Sequence, residues 1–337
     1  MNKRKVFKEA LLLYLLILFV SVSFFAALRV GAVNMSLSEM IRILFMGEVS
    51  TNRTILLDIR LPRVLVSAVL GAGLSVVGGV MQGIFKNPLV DAYTLGMSSG
   101  ASLGAVISIV TGINIKILGY STTGIFAFIG AVSTLFFVYS LSKTRNRISI
   151  NSLLLSGVAV SYFLASVISF LMMINRNKIE HIVFWTMGSL SAATWSKFIF
   201  SSLVIIPGIL ILCLFSRELN IMSLGEESAH YLGINTEKFK HLILILCSVI
   251  VGAVVSTGGT IGFLGLVAPH IVRIIWGSDN RKLLPYSALL GAGMLMLSDA
   301  IGRILIQPME IPVGVMTSIM GGPFFIVLLR RQKQKGV

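Results

Sequence analysis

Ionisable side chains are scarce in this sequence. Only 12% of its 337 residues are charged, and just 13 are acidic. A soluble chain of this length could not cover its surface with so little charge, so a soluble globular protein is excluded. Cysteine is rarer still. Cys213 and Cys247 fall in apolar runs with no spaced partner. That removes disulfide scaffolds and thiolate metal sites, and leaves both as small core residues. The four histidines are scattered without an H-E-x-x-H pair, so no metal site is expected. No G-x-x-x-x-G-K-[ST] run occurs either. If ATP drives this protein, another chain must bind it.

What the sequence has in abundance is apolar residues, at 55%. Ten apolar runs are long enough to span a bilayer: 7–28, 62–84, 92–111, 117–141, 149–174, 195–215, 241–258, 261–277, 284–304 and 311–329. The expected fold class is an all-α polytopic membrane protein, a single transmembrane domain over 1–337. Lys3, Arg4, Lys5 and Lys8 precede the first run, but no small-residue cleavage site follows it. A retained first span is therefore expected rather than a signal peptide. An even number of spans puts both basic termini on one side. With them fall Lys86, Lys143, Arg145, Arg147, Arg217, Lys238, Lys240, Arg273, Arg281, Lys282, Arg330, Arg331, Lys333 and Lys335. These are most of the basic residues, and the positive-inside bias places both termini in the cytoplasm. The net charge of +15 is thus topological, with anionic lipid as its partner and nothing that points to nucleic acid.

Glycines recur at four-residue spacing in Gly79/Gly83, Gly96/Gly100/Gly104 and Gly258/Gly262. In a bilayer this spacing lets helix backbones approach closely. Plain helix packing accounts for most of it, and a transport pathway is the alternative for some. Glycine and proline also concentrate where spans break, at Asn87-Pro88, Gly258-Gly259, Pro269 and Gly321-Gly322-Pro323. Irregular backbone at membrane depth is tolerated only inside protein or beside a wet cavity, which favours a pathway.

Arg60, Arg63 and Arg303 lie on the outer side, against the charge bias. Snorkelling to headgroups or pairing with Asp58 would satisfy Arg60 and Arg63, and an i,i+4 pair with Asp299 would neutralise Arg303. The sharper reading is a basic surface for an acidic extracytoplasmic partner. On the cytoplasmic side, 216–240 is the longest polar insert. Gly225 and Gly233 bracket a helix of one to two turns, Glu226–Leu232, too short to fold without packing on something. It either covers its own bundle or docks a cytoplasmic subunit.

Two other functions are weighed. Gly96-Met97-Ser98-Ser99-Gly100 fits the G-x-S-x-G of a serine hydrolase, with His270 as the only intramembrane histidine to serve it. That motif needs a strand–turn–helix setting, and here it lies in a glycine-spaced helix. An ion-coupled secondary transporter would need acidic residues at mid-membrane, whereas Asp91 and Asp299 lie near span ends.

Several segments together resemble a known family. They are Arg60-Leu61-Pro62-Arg63, Met81-Gln82-Gly83, Asn87-Pro88-Leu89, and Leu95-Gly96 through Ser98-Ser99-Gly100-Ala101. Leu224-Gly225-Glu226-Glu227 with Ala229 and Leu232-Gly233 follows. Gly262-Phe263-Leu264-Gly265-Leu266, Pro269-His270-Ile271-Val272-Arg273, Glu310-Ile311-Pro312-Val313-Gly314 and Gly322-Pro323-Phe324-Phe325 continue to the last span. In that order they are similar to permeases of the FecCD/BtuC type, the membrane subunits of ABC importers for iron-siderophores, haem and cobalamin. One departure is Ala92, where the family commonly has proline.

The resemblance implies a type II importer architecture of ten spans, paired with a second copy or a paralogue. Two ATPase subunits, carrying ATP and magnesium, would lie below, and an extracytoplasmic binding protein would dock above. Arg60, Arg63 and Arg303 would meet that protein's glutamates. Leu224, Gly225, Glu226, Glu227, Ala229, Leu232 and Gly233 would couple to the ATPase. The fifth span and the 92–104 helix are expected to line the pathway. This chain is then no enzyme and holds no cofactor of its own. Which chelate it carries is not written in these motifs, and an iron-siderophore is expected from family frequency alone.

Overall fold

A computed structural model describes residues 3–31, 33, 35–43, 51–113, 115–117, 120–144 and 147–334. Of the basic residues that set the expected orientation, Arg145 and Lys335 lie outside them. Helices account for nearly all of the rest. In chain order they are α1 Lys3–Arg29, α2 Leu37–Ile41, α3 Thr51–Thr54, α4 Leu61–Ile84, α5 Met97–Thr111, α6 Thr122–Ser142, α7 Ile150–Ile174 and α8 Ile179–Thr186. They continue with α9 Trp195–Leu214, α10 Ser216–Leu224, α11 Glu226–Tyr231, α12 Thr236–Gly258, α13 Leu264–Trp276, α14 Asn280–Gly302 and α15 Val313–Gln334. Two-residue hairpins, Lys116–Ile117 with Tyr120–Ser121 and Lys143–Thr144 with Arg147–Ile148, flank α6 at either end.

All ten apolar runs fold as helices. Seven are long and apolar enough to cross a membrane: α1, the α3–α4 unit, α6, α7, α9, α12 and α14. The other three, Met97–Thr111, Leu264–Trp276 and Val313–Val327, are apolar but shorter. The run expected to begin at 92 starts only at Met97, because side chains hold the chain before it in turns. Asn87 Oδ1 accepts from Leu89 N (2.9 Å), and Asp91 Oδ1 accepts from Tyr93 N (3.0 Å) and Thr94 Oγ1 (2.8 Å). Such local bonds compete with a helix start. Ala92 is buried inside this turn.

Four of the long helices start on a polar cap. Ser149, Thr194, Asn235 and Asp279 cap α7, α9, α12 and α14 through side-chain oxygens. Pro62 stands where a π-helical stretch, Ile55–Arg60, runs into α4, and the Leu57 carbonyl there accepts from Trp195 Nε1 at 3.0 Å.

The core is built around α4, which packs on α14, α13, α9 and α12. Its glycines explain the closeness. A Cβ on Gly71 would strike the carbonyl of Gly291 in α14, and one on Gly78 the carbonyl of Gly265 in α13. A second tight crossing joins α5 to α6. There Gly100 faces Thr134 and the Gly130 carbonyl, and Gly104 faces the Phe126 carbonyl. In a bilayer, packing of this kind does the work that water does for soluble cores.

Candidate functional site: two charged ends and the cavity between them

The helices run between a near end, where α1 begins and α15 ends, and a far end, where Arg60, Arg63 and Arg303 come together. All three arginines are buried. Arg63 grips Asp299 with Nε at 3.0 and 3.1 Å and Nη2 at 2.9 Å, and Nη1 lies 2.9 Å from Glu310. Arg303 Nε reaches the other side of Asp299 at 3.2 Å, as the i,i+4 spacing predicts. Its remaining nitrogens donate to the carbonyls of Ala27 and Val30 at 2.8 Å. Arg60 donates to the carbonyls of Leu28 and Arg29 at 2.9 Å, and to that of Val33. A Cβ on Gly31 would sit 2.7 Å from its Nη2, so glycine there makes room for the guanidinium.

The expected pairing of Arg60 or Arg63 with Asp58 is not made, and Asp58 is exposed. The partners are the last turn of α1, whose orphan carbonyls point at Arg60 and Arg303, and the buried Asp299. Glu310, with a side chain 43% exposed, belongs to the motif that continues the resemblance, but its pairing with Arg63 is not among the expectations.

At the near end, α10, α11 and the first turns of α12 form the polar insert. Its short helix is Glu226–Tyr231, one residue shorter than the sequence suggests. Gly225 (φ 134°) and Gly233 (φ 85°) stop the chain on either side in conformations that L side chains rarely adopt. Ala229 is fully buried, and Lys240 Nζ holds Glu226 at 2.9 Å and Glu237 at 2.8 Å. The opposite surface stands out: Leu224 is 69% exposed, Tyr231 88% and Leu232 61%. Glu227 is exposed beside them. Asn220 ties α10 to the start of α14. It donates to Asp279 (2.7 Å) and accepts from the backbone and amide nitrogens of Asn280, both at 2.8 Å. Asp279's carboxyl is held below the usual carboxylate range by that amide and by the backbone N–H of Arg281. No sequence motif marked Lys240 or Asn220.

Between the ends, a cavity of about 530 Å³ is lined by Tyr93, Ser98, Thr186, Thr260, Gly314 and Ser318 among others. It brings the start of α5 together with α8 and α15. A neighbouring cavity of about 490 Å³ lies across α8, reached by His181, Trp185 and Lys197. Gly262 borders the first cavity and Gly258 the second. A Cβ on Gly258 would stand 2.8 Å from Leu70, whereas one on Gly262 would reach only Ser318 at 3.8 Å. Gly79 packs on Leu283, 3.0 Å from a built Cβ, but Gly83 meets nothing. Gly96 caps α5 and lies against Ser161 of α7.

Ser98 occupies the first turn of α5, not a strand-to-helix elbow. His270 stacks edge-on to Phe324 with its Nδ1 unbonded. Asp91 and Asp299 are both engaged, one in a turn and the other between arginines. Neither is left as a coupling-ion site. Among the described residues no cluster of metal-ligating side chains occurs.

Known proteins share this sequence pattern and fold. The sequence matches the FecCD transport family over residues 16–331. It is 40% identical over 314 residues to the hemin transport system permease protein HmuU of Yersinia pestis, covering 91% of this chain and 93% of that protein. It is 39% identical over 291 residues to the cobalamin import system permease protein BtuC of Halobacterium salinarum, covering 86% of this chain and 77% of that one. A solved inward-facing ABC transporter of metal-chelate type superposes with a TM-score of 0.84 at 30% identity, over 95% of this chain and 99% of the other. The fold and the two charged ends define a multi-pass transport subunit, not an enzyme. The chain belongs to the FecCD transport family and is a permease of an ABC importer.

Proposed function

We propose that this permease imports a metal chelate, an iron-siderophore in the first instance, delivered by an extracytoplasmic binding protein and moved by alternating access. The chain does no covalent chemistry. ATP and magnesium are bound by two separate ATPase subunits at the near end, which is cytoplasmic, as are both termini. The observation that carries the reading is α11, a helix pinned on one side by Lys240 and Ala229, which exposes Tyr231 together with Leu224 and Leu232 on the segments flanking it. A helix of six residues with its largest side chains exposed has a partner to meet, and a groove in an ATPase subunit supplies it.

A second permease copy or a paralogue completes the pathway. Large apolar residues along α7, among them Leu155, Tyr162 and Phe163, support this by facing outward from the single chain. The cavity at Tyr93, Ser98 and Ser318 opens on α8 and α15 and is the part of the route one chain contributes. ATP-driven closure of the partner rocks the two bundles and exchanges one gate for the other, a rigid-body switch. The same machinery importing haem or cobalamin is the second reading, favoured by the relatives that carry those names at 40% and 39% identity.

Purification from native membranes in mild detergent tests the assignment. Vanadate-sensitive ATP hydrolysis in a complex with a P-loop subunit is expected. A stable, folded permease that never brings down an ATPase overturns it. Uptake of labelled iron-siderophore, haem and cobalamin by cells lacking and regaining this gene then separates the chelates.

A further inference from the structure

Five charged groups share the knot at the far end, but they are not held alike. Arg60 and Arg303 are buried and spend their donors on carbonyls at and just beyond the end of α1 and, for Arg303, on Asp299. Asp299, 3% exposed, lies beneath both Arg63 and Arg303. Glu310 is the exception. It is part-exposed, sits on the non-helical stretch between α14 and α15, and touches only Nη1 of Arg63, at 2.9 and 3.2 Å. Without Glu310 the knot would hold three guanidinium groups against one carboxylate.

We propose that Glu310 is an internal stand-in for a carboxylate of the docking binding protein. On docking, an Asp or Glu side chain of the partner takes Nη1 of Arg63 and Glu310 swings away. Exchange follows from charge and space. A second carboxylate added beside the first would crowd the single Nη1 donor with two like charges, whereas exchange leaves that donor one carboxylate throughout. The neighbouring hairpin tip, bridged from Ile306 to Met309 and exposing both, offers the partner an apolar rim beside the vacated position. Docking is thereby linked to the α14–α15 connection, which leads straight into the first turn of α15, where Gly314 and Val315 line the cavity. The inference rests on the importer reading and adds an intramolecular competitor to it.

Competition has a measurable sign. The permease–ATPase complex in nanodiscs is titrated with its own purified binding protein for wild type, Glu310→Gln, Glu310→Asp and the control Glu180→Gln. Glu180 is an exposed residue of α8 with no part in the knot. Removing the competitor is expected to tighten docking about tenfold in Glu310→Gln. The aspartate variant should fall in between, and Glu180→Gln should stay within about twofold of wild type. Unchanged or weaker docking in Glu310→Gln, with wild type binding normally, overturns the exchange and leaves the importer reading standing. A wild-type complex that retains its ATPase but binds no such protein overturns delivery, and the exchange with it. Reversal of Arg60 and Arg63 to glutamate is the poorer test, because it sets a carboxylate against the α1 carbonyls and another against Asp299.

Discussion

Lys240 Nζ lies 2.9 Å from Glu226 Oε2 and 2.8 Å from Glu237 Oε1, so one buried ammonium fastens the first residue of α11 to the first turn of α12. The buried Ala229 seats the middle of α11 on the bundle, and this ion pair fixes its first residue, which otherwise follows Gly225 alone. With it, a displacement of Tyr231 or Leu232 is passed to α12.

Lys240→Met should therefore separate ATP hydrolysis from transport. A charge-assisted hydrogen bond contributes roughly 1.5–3 kcal/mol, so the latch would open most of the time. Chelate moved per ATP hydrolysed is expected to fall about tenfold while the ATPase still copurifies. Unchanged coupling in proteoliposomes would remove the latch from the mechanism.

Asp299→Asn should damage the fold rather than one contact. It leaves the guanidinium groups of Arg63 and Arg303 buried on either side of a neutral amide. Breaking a buried pair in this way costs about 3–5 kcal/mol. A clear drop in the detergent melting temperature is expected, and an unchanged one would mean that Glu310 and the carbonyls at the end of α1 hold the knot without Asp299.

The glycines predict a contrast. Gly78→Ala drives a methyl into the Gly265 carbonyl, and Gly291→Ala drives one into Ser75 and the Gly71 carbonyl. Both should lower the yield of folded protein in size-exclusion chromatography. Gly83→Ala meets no atom within 4 Å and should leave that profile as wild type.

The tether between α10 and α14 has a pH signature. Asp279 has its pKa depressed in the fold by the Asn220 amide and the Arg281 N–H. Its contribution is therefore fully present above the unfolded-state pKa, about 3.9, and is lost only as pH falls through the lower folded value. Hydrogen-exchange protection of Ser216–Leu224 should hold down to about pH 4 in wild type. In Asn220→Ala it should already be reduced at neutral pH.

Local chemistry made α11 legible from sequence. Glycines that end a helix act on their own neighbours, and the structure moved only one boundary, by one residue. The arginine partners were less accessible. Arg303 pairs with Asp299 four residues away, as spacing suggests, but Arg63 finds the same Asp299 across the chain, where no periodicity reaches. Four-residue glycine spacing was a mixed guide. It marked Gly100 and Gly104, which do face another backbone, and Gly83, which faces none. It missed Gly71 and Gly78, because spacing names a face of one helix and not the neighbour that lies on it. The α5 run reads as a longer span because hydropathy does not register the Asn87 and Asp91 turns before it.

α1 and α14 are joined twice. Lys282 meets Glu9 at 2.7 Å where both helices begin, and Arg303 holds the carbonyls of Ala27 and Val30 where both finish. Two parallel rods pinned at both tips can lean together but cannot slip lengthwise by a turn, about 5.4 Å, without releasing a pin. Whatever stroke the transport cycle imposes, this pair takes it as one stiff lever.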